Sequence, residues 1–164
     1  MRKFCLSYGT FRHILIGKRG VNSHWHENTL ILNPKCREHR GGGIFITNKR
    51  EFKIYNFLFF FNGYVKDGGG LYLYNCEDII MENNVFVLNF AKWGGGIYVE
   101  RSSKILIKNN VFILNFALRD GGAISISNST DIVLQNNKYY LNIALRRNRD
   151  CDIHKSKVSI GRRL

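Results

Sequence analysis

The chain has 164 residues, 45% of them hydrophobic and 23% charged, and carries a formal net charge of +13. That is one domain's worth of polypeptide. It contains no run of 18 or more apolar residues, so no segment reads as a membrane-crossing helix. The four cysteines, Cys5, Cys36, Cys76 and Cys151, are scattered without a Cys-x-x-Cys pair, which argues against a disulfide framework.

Residues 1–29 form a basic N-terminal segment, expected to cap the first structural unit. The stretch Phe4–Ile16 is broken by Tyr8, Gly9, Arg12 and His13 and makes a poor secretory h-region. His24-x-His26 and Cys36-x-x-His39 place four possible zinc ligands close together. Imidazole and thiolate suit zinc, but this order is not a common ligand frame. They are read as exposed polar residues, and neither metal nor cofactor is expected.

From Leu30 to Asn142 the sequence repeats. Glycine blocks begin at Gly41, Gly68, Gly94 and Gly121, at steps of 27, 26 and 27 residues. After each comes an alternating strand: Ile44–Thr47, Leu71–Tyr74, Ile97–Glu100 and Ile124–Ser127. A polar break with Asn48, Asn75, Arg101 or Asn128 precedes a second strand at Phe52–Ile54, Ile79–Met81, Ile105–Ile107 and Ile132–Leu134. A third runs Phe59–Asn62, Phe86–Asn89, Phe112–Asn115 and Tyr139–Asn142. Leu30-Ile-Leu-Asn33 is a partial earlier copy. Alternating β-branched and aromatic residues bounded by Asn, Ser and Gly read as half-buried strands.

Such a period signals a solenoid. Three strands per 27 residues with no helix between them predict a right-handed parallel β-helix of about five coils, each strand pairing with its equivalent roughly 4.8 Å above. Asn62, Asn89, Asn115 and Asn142, with Asn33 as an earlier member, form a hydrogen-bonding ladder in this reading. Gly69, Gly95 and Gly122 take a structural role at the corner, where the backbone turns sharply. Residues 143–164 read as a degenerate last coil and basic tail, with Asp150-Cys-Asp-Ile153 standing two residues late for the Gly121–Ile124 block.

Charge is uneven. Residues 1–40 hold eight Lys/Arg against two Glu, residues 143–164 seven against two Asp, and residues 41–142 ten against eight acids. The repeats are near neutral and are not read as a nucleic-acid surface; the termini are the basic parts.

The Phe86-Val-Leu-Asn89 and Phe112-Ile-Leu-Asn115 segments, each followed by Gly-Gly-Gly-Ile or Gly-Gly-Ala-Ile, resemble the repeats of the polymorphic outer membrane proteins. Similar repeats occur in right-handed β-helices of the pectin-lyase-like superfamily. The resemblance covers residues 30–142. It implies a surface-displayed adhesion scaffold at an extracellular or cell-surface location. It also implies glycans or a host or cell-surface partner. About five coils are short for a free-standing solenoid, and the chain is read as a fragment stacking on further coils of a longer parent or as a stand-alone relative.

Two sets of residues carry the functional readings. Phe45, Tyr72 and Tyr98 form an outward aromatic row beside Trp93, suited to sugar rings or a partner. Asp67 and Asp120 share the Trp93 column two coils apart, about 9–10 Å, near the upper end for an inverting carboxylate pair. A non-enzymatic surface or adhesion β-helix is the first reading. A carbohydrate-active β-helix using Asp67 and Asp120 is the alternative, and anionic-surface or nucleic-acid binding through the termini is the third.

Overall fold

The computed structural model describes residues 41–161 except Tyr64 and Arg149, together with two short N-terminal strands, β1 (Cys5–Leu6) and β2 (Ile16–Lys18). Asn33 lies outside the described residues. The first coil consists of β3 (Ile44–Thr47), β4 (Arg50–Tyr55), β5 (Leu58–Phe60) and β6 (Val65–Asp67). The second repeats it as β7 (Leu71–Tyr74), β8 (Glu77–Glu82), β9 (Val85–Val87) and β10 (Phe90–Trp93). The third is β11 (Ile97–Glu100), β12 (Ser103–Lys108), β13 (Val111–Ile113) and β14 (Phe116–Asp120). The fourth is β15 (Ile124–Ser127), β16 (Thr130–Gln135), β17 (Lys138–Tyr140) and β18 (Ile143–Ala144). A fifth begins with β19 (Cys151–His154) and β20 (Val158–Gly161).

Equivalent strands stack into four sheets, β3-β7-β11-β15-β19, β4-β8-β12-β16-β20, β5-β9-β13-β17 and β6-β10-β14-β18. Every pairing between coils is parallel, with Ile44, Leu71, Ile97, Ile124 and Cys151 in register. β1 and β2 lie antiparallel along the outer edges of β3 and β4. The chain is thus an all-β parallel solenoid of about four turns.

Each coil carries four strands, not the three expected. The additional strand lies between the third strand and the next glycine block. Its alternation is hidden by a bulge: Ala91 pairs with Ala117 but Trp93 pairs with Asp120, so β14 holds one residue more than β10. An unpaired extra residue breaks the period-two pattern from which strands are recognised. The last coil is also in step rather than two residues late. Gly121 N–H donates to the Asn148 carbonyl and Ile124 pairs with Cys151. Asn148, at φ 47°, takes the left-handed place of Gly121 at φ 68°, which asparagine tolerates.

The core lies inside the coils. Alternate residues of the first sheet (Ile44 and Ile46, Leu71 and Leu73, Ile97 and Val99, Ile124 and Ile126) meet Ile79, Met81, Ile105 and Ile107 of the second. From the third sheet Phe59, Phe86, Phe112 and Tyr139 stack face to face at centroid distances of 4.4, 4.9 and 5.4 Å. The following residues, Phe60, Val87, Ile113 and Tyr140, point out. The chain then turns through φ 50–54° at Phe61, Leu88, Leu114 and Leu141, so these face solvent as well. This third-sheet face is apolar and exposed among the described residues, with Leu141, Phe61 and Tyr140 the most open.

Corners are satisfied by ladders. The backbone N–H and side-chain amide of Asn89 both donate to Asn115 Oδ1, at 3.1 and 2.9 Å, and the same amide donates to the Phe59 carbonyl at 2.9 Å. Asn62 relates to Asn89, and Asn115 to Asn142, in the same way. A second ladder, Asn84–Asn110–Asn137, repeats this geometry at the next corner. A third runs through Ser102, Ser129 and Ser156, each hydroxyl accepting the N–H one coil before it: Cys76, Ser102 and Ser129. The sequence pointed to the first ladder only. Asn48, Asn56, Asn75, Asn83 and their equivalents serve differently, holding left-handed backbone at φ 48–60°.

Glycine is required for two distinct reasons. Gly94 has φ 61°, whereas Gly95 does not, but a Cβ on Gly95 would sit 2.3 Å from the Gly122 carbonyl oxygen and 2.6 Å from that of Phe116. Both obstacles are backbone and cannot swing aside. Gly95→Val is therefore expected to destabilise by on the order of 3 kcal/mol, read as a lower denaturant midpoint; an unchanged midpoint would show that the corner relaxes freely.

The ladders predict an equally sharp contrast. Asn115→Ala strands the N–H and amide donors of Asn89 in a site with no solvent access and should cost about 3–5 kcal/mol. Asn75→Ala removes one exposed side-chain bond to Asn48 together with some left-handed preference, and should cost about 1 kcal/mol. Equal losses at the two positions would contradict the ladder account.

Candidate functional site

Where the first and fourth sheets meet across the glycine corner, the outer surface gathers most of the residues singled out from sequence. Phe45, Tyr72 and Tyr98 occupy one register column of β3, β7 and β11. Their rings stack at 4.9 and 5.3 Å, close to parallel. Strand alternation turns them away from the core, yet Tyr72 exposes 0% of its surface while Phe45 and Tyr98 are half-buried. Tyr72 is clasped between its neighbours, and its hydroxyl donates to Glu100 Oε2 at 2.6 Å. Of this outward row, Phe45 and Tyr98 are partly open and Tyr72 is enclosed. Tyr72 fixes their spacing.

The second column is Asp67, Trp93 and Asp120, in register as the spacing implied. Asp67 is 4% exposed. Asp120 is half-buried, and its Oδ1 is enclosed without a hydrogen bond. Trp93 lies between the two carboxylates and is ringed by cations: Lys92 Nζ 4.6 Å, the Arg119 guanidinium carbon 5.4 Å and Lys66 Nζ 5.9 Å from its centroid. Cations over an indole are held by its quadrupole. Lys66, Asp67, Trp93, Tyr98 and Glu100 line a small hollow of about 160 Å³. A flat ring, fixed donors and acceptors and a shallow floor suit recognition of a sugar unit or a polar loop.

The remaining charges are organised elsewhere. On the second sheet Glu77 bridges Arg50 and Lys104 at 3.1 and 2.8 Å, and Glu82 bridges Lys53 and Lys108 at 3.3 and 3.1 Å. The hydrogen bond and charge of Lys104, then Arg50, hold the Glu77 carboxyl below the usual carboxylate range. Desolvation works against ionisation of Glu82, but Lys108 and Lys53 still draw it down. Neither site aims a carboxylate at an open cleft. Cys76 is buried, and burial raises its thiol; burial and the nearby Asp152 and Asp150 push Cys151 up to about 12.

The candidate zinc ligands His24, His26, Cys36 and His39 lie outside the described residues. Among the described residues no group of three or more His, Cys, Asp or Glu could hold a metal ion, and no helix is long and apolar enough to cross a membrane. Sequence reasoning missed the cations around Trp93. They recur one residue before the Asp67–Trp93 column, at Lys66 and Lys92, and the same step reaches Arg119. Counting charge over the whole repeat region concealed them.

A family model described as a right handed beta helix region matches residues 5–140. The chain belongs to the right-handed β-helix family. Neither the curated proteins nor the solved structures yielded a match. The family accounts for the solenoid and its handedness and assigns no ligand to this corner.

The role given to Tyr72 has a direct check. Tyr72→Phe keeps the stack and loses one hydrogen bond to a carboxylate, so it should cost about 1–2 kcal/mol; Tyr72→Ala empties a fully buried aromatic site and should cost about 3–5 kcal/mol. Thermal or denaturant midpoints distinguish the two, and a negligible effect of Tyr72→Ala would remove Tyr72 as the spacer.

Proposed function

We propose that this chain is a non-enzymatic recognition scaffold of the surface or adhesion type, taking glycans or a cell-surface partner at the corner between its first and fourth sheets. The observation that carries this reading is the stacked Phe45–Tyr72–Tyr98 row alongside the Trp93 hollow. Aromatic faces held at coil spacing, with polar groups at their edge, are what binding a sugar or a partner loop requires. The resemblance of the Phe-x-x-Asn and Gly-Gly-x-Ile repeats to polymorphic outer membrane proteins, and more broadly to pectin-lyase-like β-helices, supports the same assignment.

Cleavage of a polysaccharide is the competing reading, favoured by the placement of Asp67 and Asp120 on either side of Trp93. Their environments argue against it. Glycosidic cleavage needs an acid and a base or nucleophile flanking one bond. Here the carboxylates stand two coils apart with an indole between them, and Asp67 is almost wholly enclosed.

Titration against a panel of neutral and acidic polysaccharides separates these readings. Binding to at least one, without new reducing ends or unsaturated products, is the expected result. Trp93→Ala and Tyr98→Ala should each weaken it by roughly tenfold. Failure to bind any glycan or cell surface would sink the recognition reading, and turnover abolished by Asp67→Asn or Asp120→Asn would establish the enzyme instead.

A further inference from the structure

The repeat region is near neutral in sum but not in distribution. On the second sheet, cation and carboxylate alternate up the coils, as Arg50–Glu77–Lys104 and Lys53–Glu82–Lys108. On the fourth sheet like charges stack. Lys66 and Lys92 are register neighbours, Arg119 stands beside Lys92, and the Arg146 N–H donates to the Arg119 carbonyl at 3.0 Å. Arg147 pairs through its backbone with Asp120 in the adjoining column. One outward column thus carries a cation in each of four successive coils.

Lys66, Arg119, Arg146 and Arg147 are exposed and Lys92 is half-buried. Among the described residues none of the five forms an ion pair with a carboxylate. Three carboxylates stand near the column, and among the described residues none forms an ion pair with it: Asp67 is buried, Asp120 is half-buried with its Oδ1 enclosed, and Glu100, which lines the hollow with Lys66, accepts from the Tyr72 hydroxyl. Trp93 holds three of these cations, Lys66, Lys92 and Arg119, against its ring. Like charges one strand spacing apart, about 4.8 Å, repel one another, and a ligand that inserts anions between them relieves that repulsion.

We infer that this column is a track for a linear anionic glycan lying along the solenoid axis, its sulfates or carboxylates meeting Lys66, Lys92, Arg119 and Arg146 in turn. Coil spacing is close to the length of one sugar unit, so successive acidic groups can reach successive coils without strain. Trp93 and the exposed Leu118 supply the apolar surface beside the track. A single-stranded nucleic acid would stack its bases on several rings; this column offers one, already surrounded by three cations. The inference rests on the recognition reading above and adds the sign of the ligand's charge and its direction.

The test uses the full chain with heparin as the sulfated probe, polygalacturonate as the carboxylated probe, dextran as the neutral one and single-stranded DNA as the nucleic acid. Two fourfold variants are compared. The column variant is Lys66→Gln, Lys92→Gln, Arg119→Gln and Arg146→Gln; the control, with equal charge removed elsewhere, is Arg101→Gln, Lys138→Gln, Lys155→Gln and Lys157→Gln. Circular dichroism confirms folding, and Arg119→Gln with Arg146→Gln replaces the column variant if it misfolds.

Heparin or polygalacturonate should bind, with affinity falling roughly tenfold or more between about 0.05 and about 0.5 M salt. The column variant should lose about tenfold and the control less than about twofold, on the ordinary scale of charge-pair effects. Preference for one acidic polymer identifies sulfate or carboxylate as the anion. Equal losses in both variants would overturn the track in favour of diffuse basic charge, and tighter binding of DNA would make it a nucleic-acid surface. Salt-independent binding of dextran alone would defeat the track while leaving the recognition reading in place.

Discussion

Everything in this molecule depends on coil-to-coil hydrogen bonding kept in register through the corners. A strand extends its ladder by repeating itself, but a corner exposes N–H and C=O groups whose directions no longer match a flat sheet. Buried and unpaired, each would cost about 1–3 kcal/mol. Asn89, Asn115 and Asn142 resolve one corner, Asn84, Asn110 and Asn137 another, and Ser102, Ser129 and Ser156 a third. In the asparagine ladders each of these side chains except Asn84, which accepts one, accepts two hydrogen bonds from the preceding coil, and all donate back to it. The structure therefore tolerates little drift in repeat length, and the one-residue difference between 26 and 27 is absorbed by a bulge in β14.

Fixed register has a second consequence, since whatever one coil displays, the next displays roughly 4.8 Å away. Inside, this stacks Phe59, Phe86, Phe112 and Tyr139 into one aromatic column. Outside, it stacks Phe45, Tyr72 and Tyr98 at one corner. For charges the effect depends on order. Alternation of sign gives the bridged carboxylates of the second sheet, and repetition of sign gives the cation column of the fourth. A β-helix makes linear arrays from single repeated residues, and an array matches a polymeric ligand better than a point site does.

The corner glycines illustrate how one motif serves two constraints. Gly94 supplies a left-handed turn and Gly95 supplies room for backbone carbonyls of the next coil. Asn148 replaces the first glycine in the last coil because its demand is conformational. The third position holds Ala at Ala123, where a buried methyl group fits, whereas a Cβ on its equivalent Gly96 would sit 2.6 Å from the Ala123 carbonyl oxygen.

The sequence by itself determined the parallel solenoid, the first strand of every coil and one asparagine ladder, because each repeats a fixed residue type at a fixed step. The tertiary structure decided the fourth strand, whose bulge erases the alternation of Phe90–Trp93 against Phe116–Asp120. It also decided the enclosure of Tyr72, since strand parity shows which way a side chain points and not what closes over it. The grouping of Lys66, Lys92, Arg119 and Arg146 became visible only with β6, β10, β14 and β18 placed side by side. Charge counted along a chain is a sum, whereas a ligand meets charge where the coils stack.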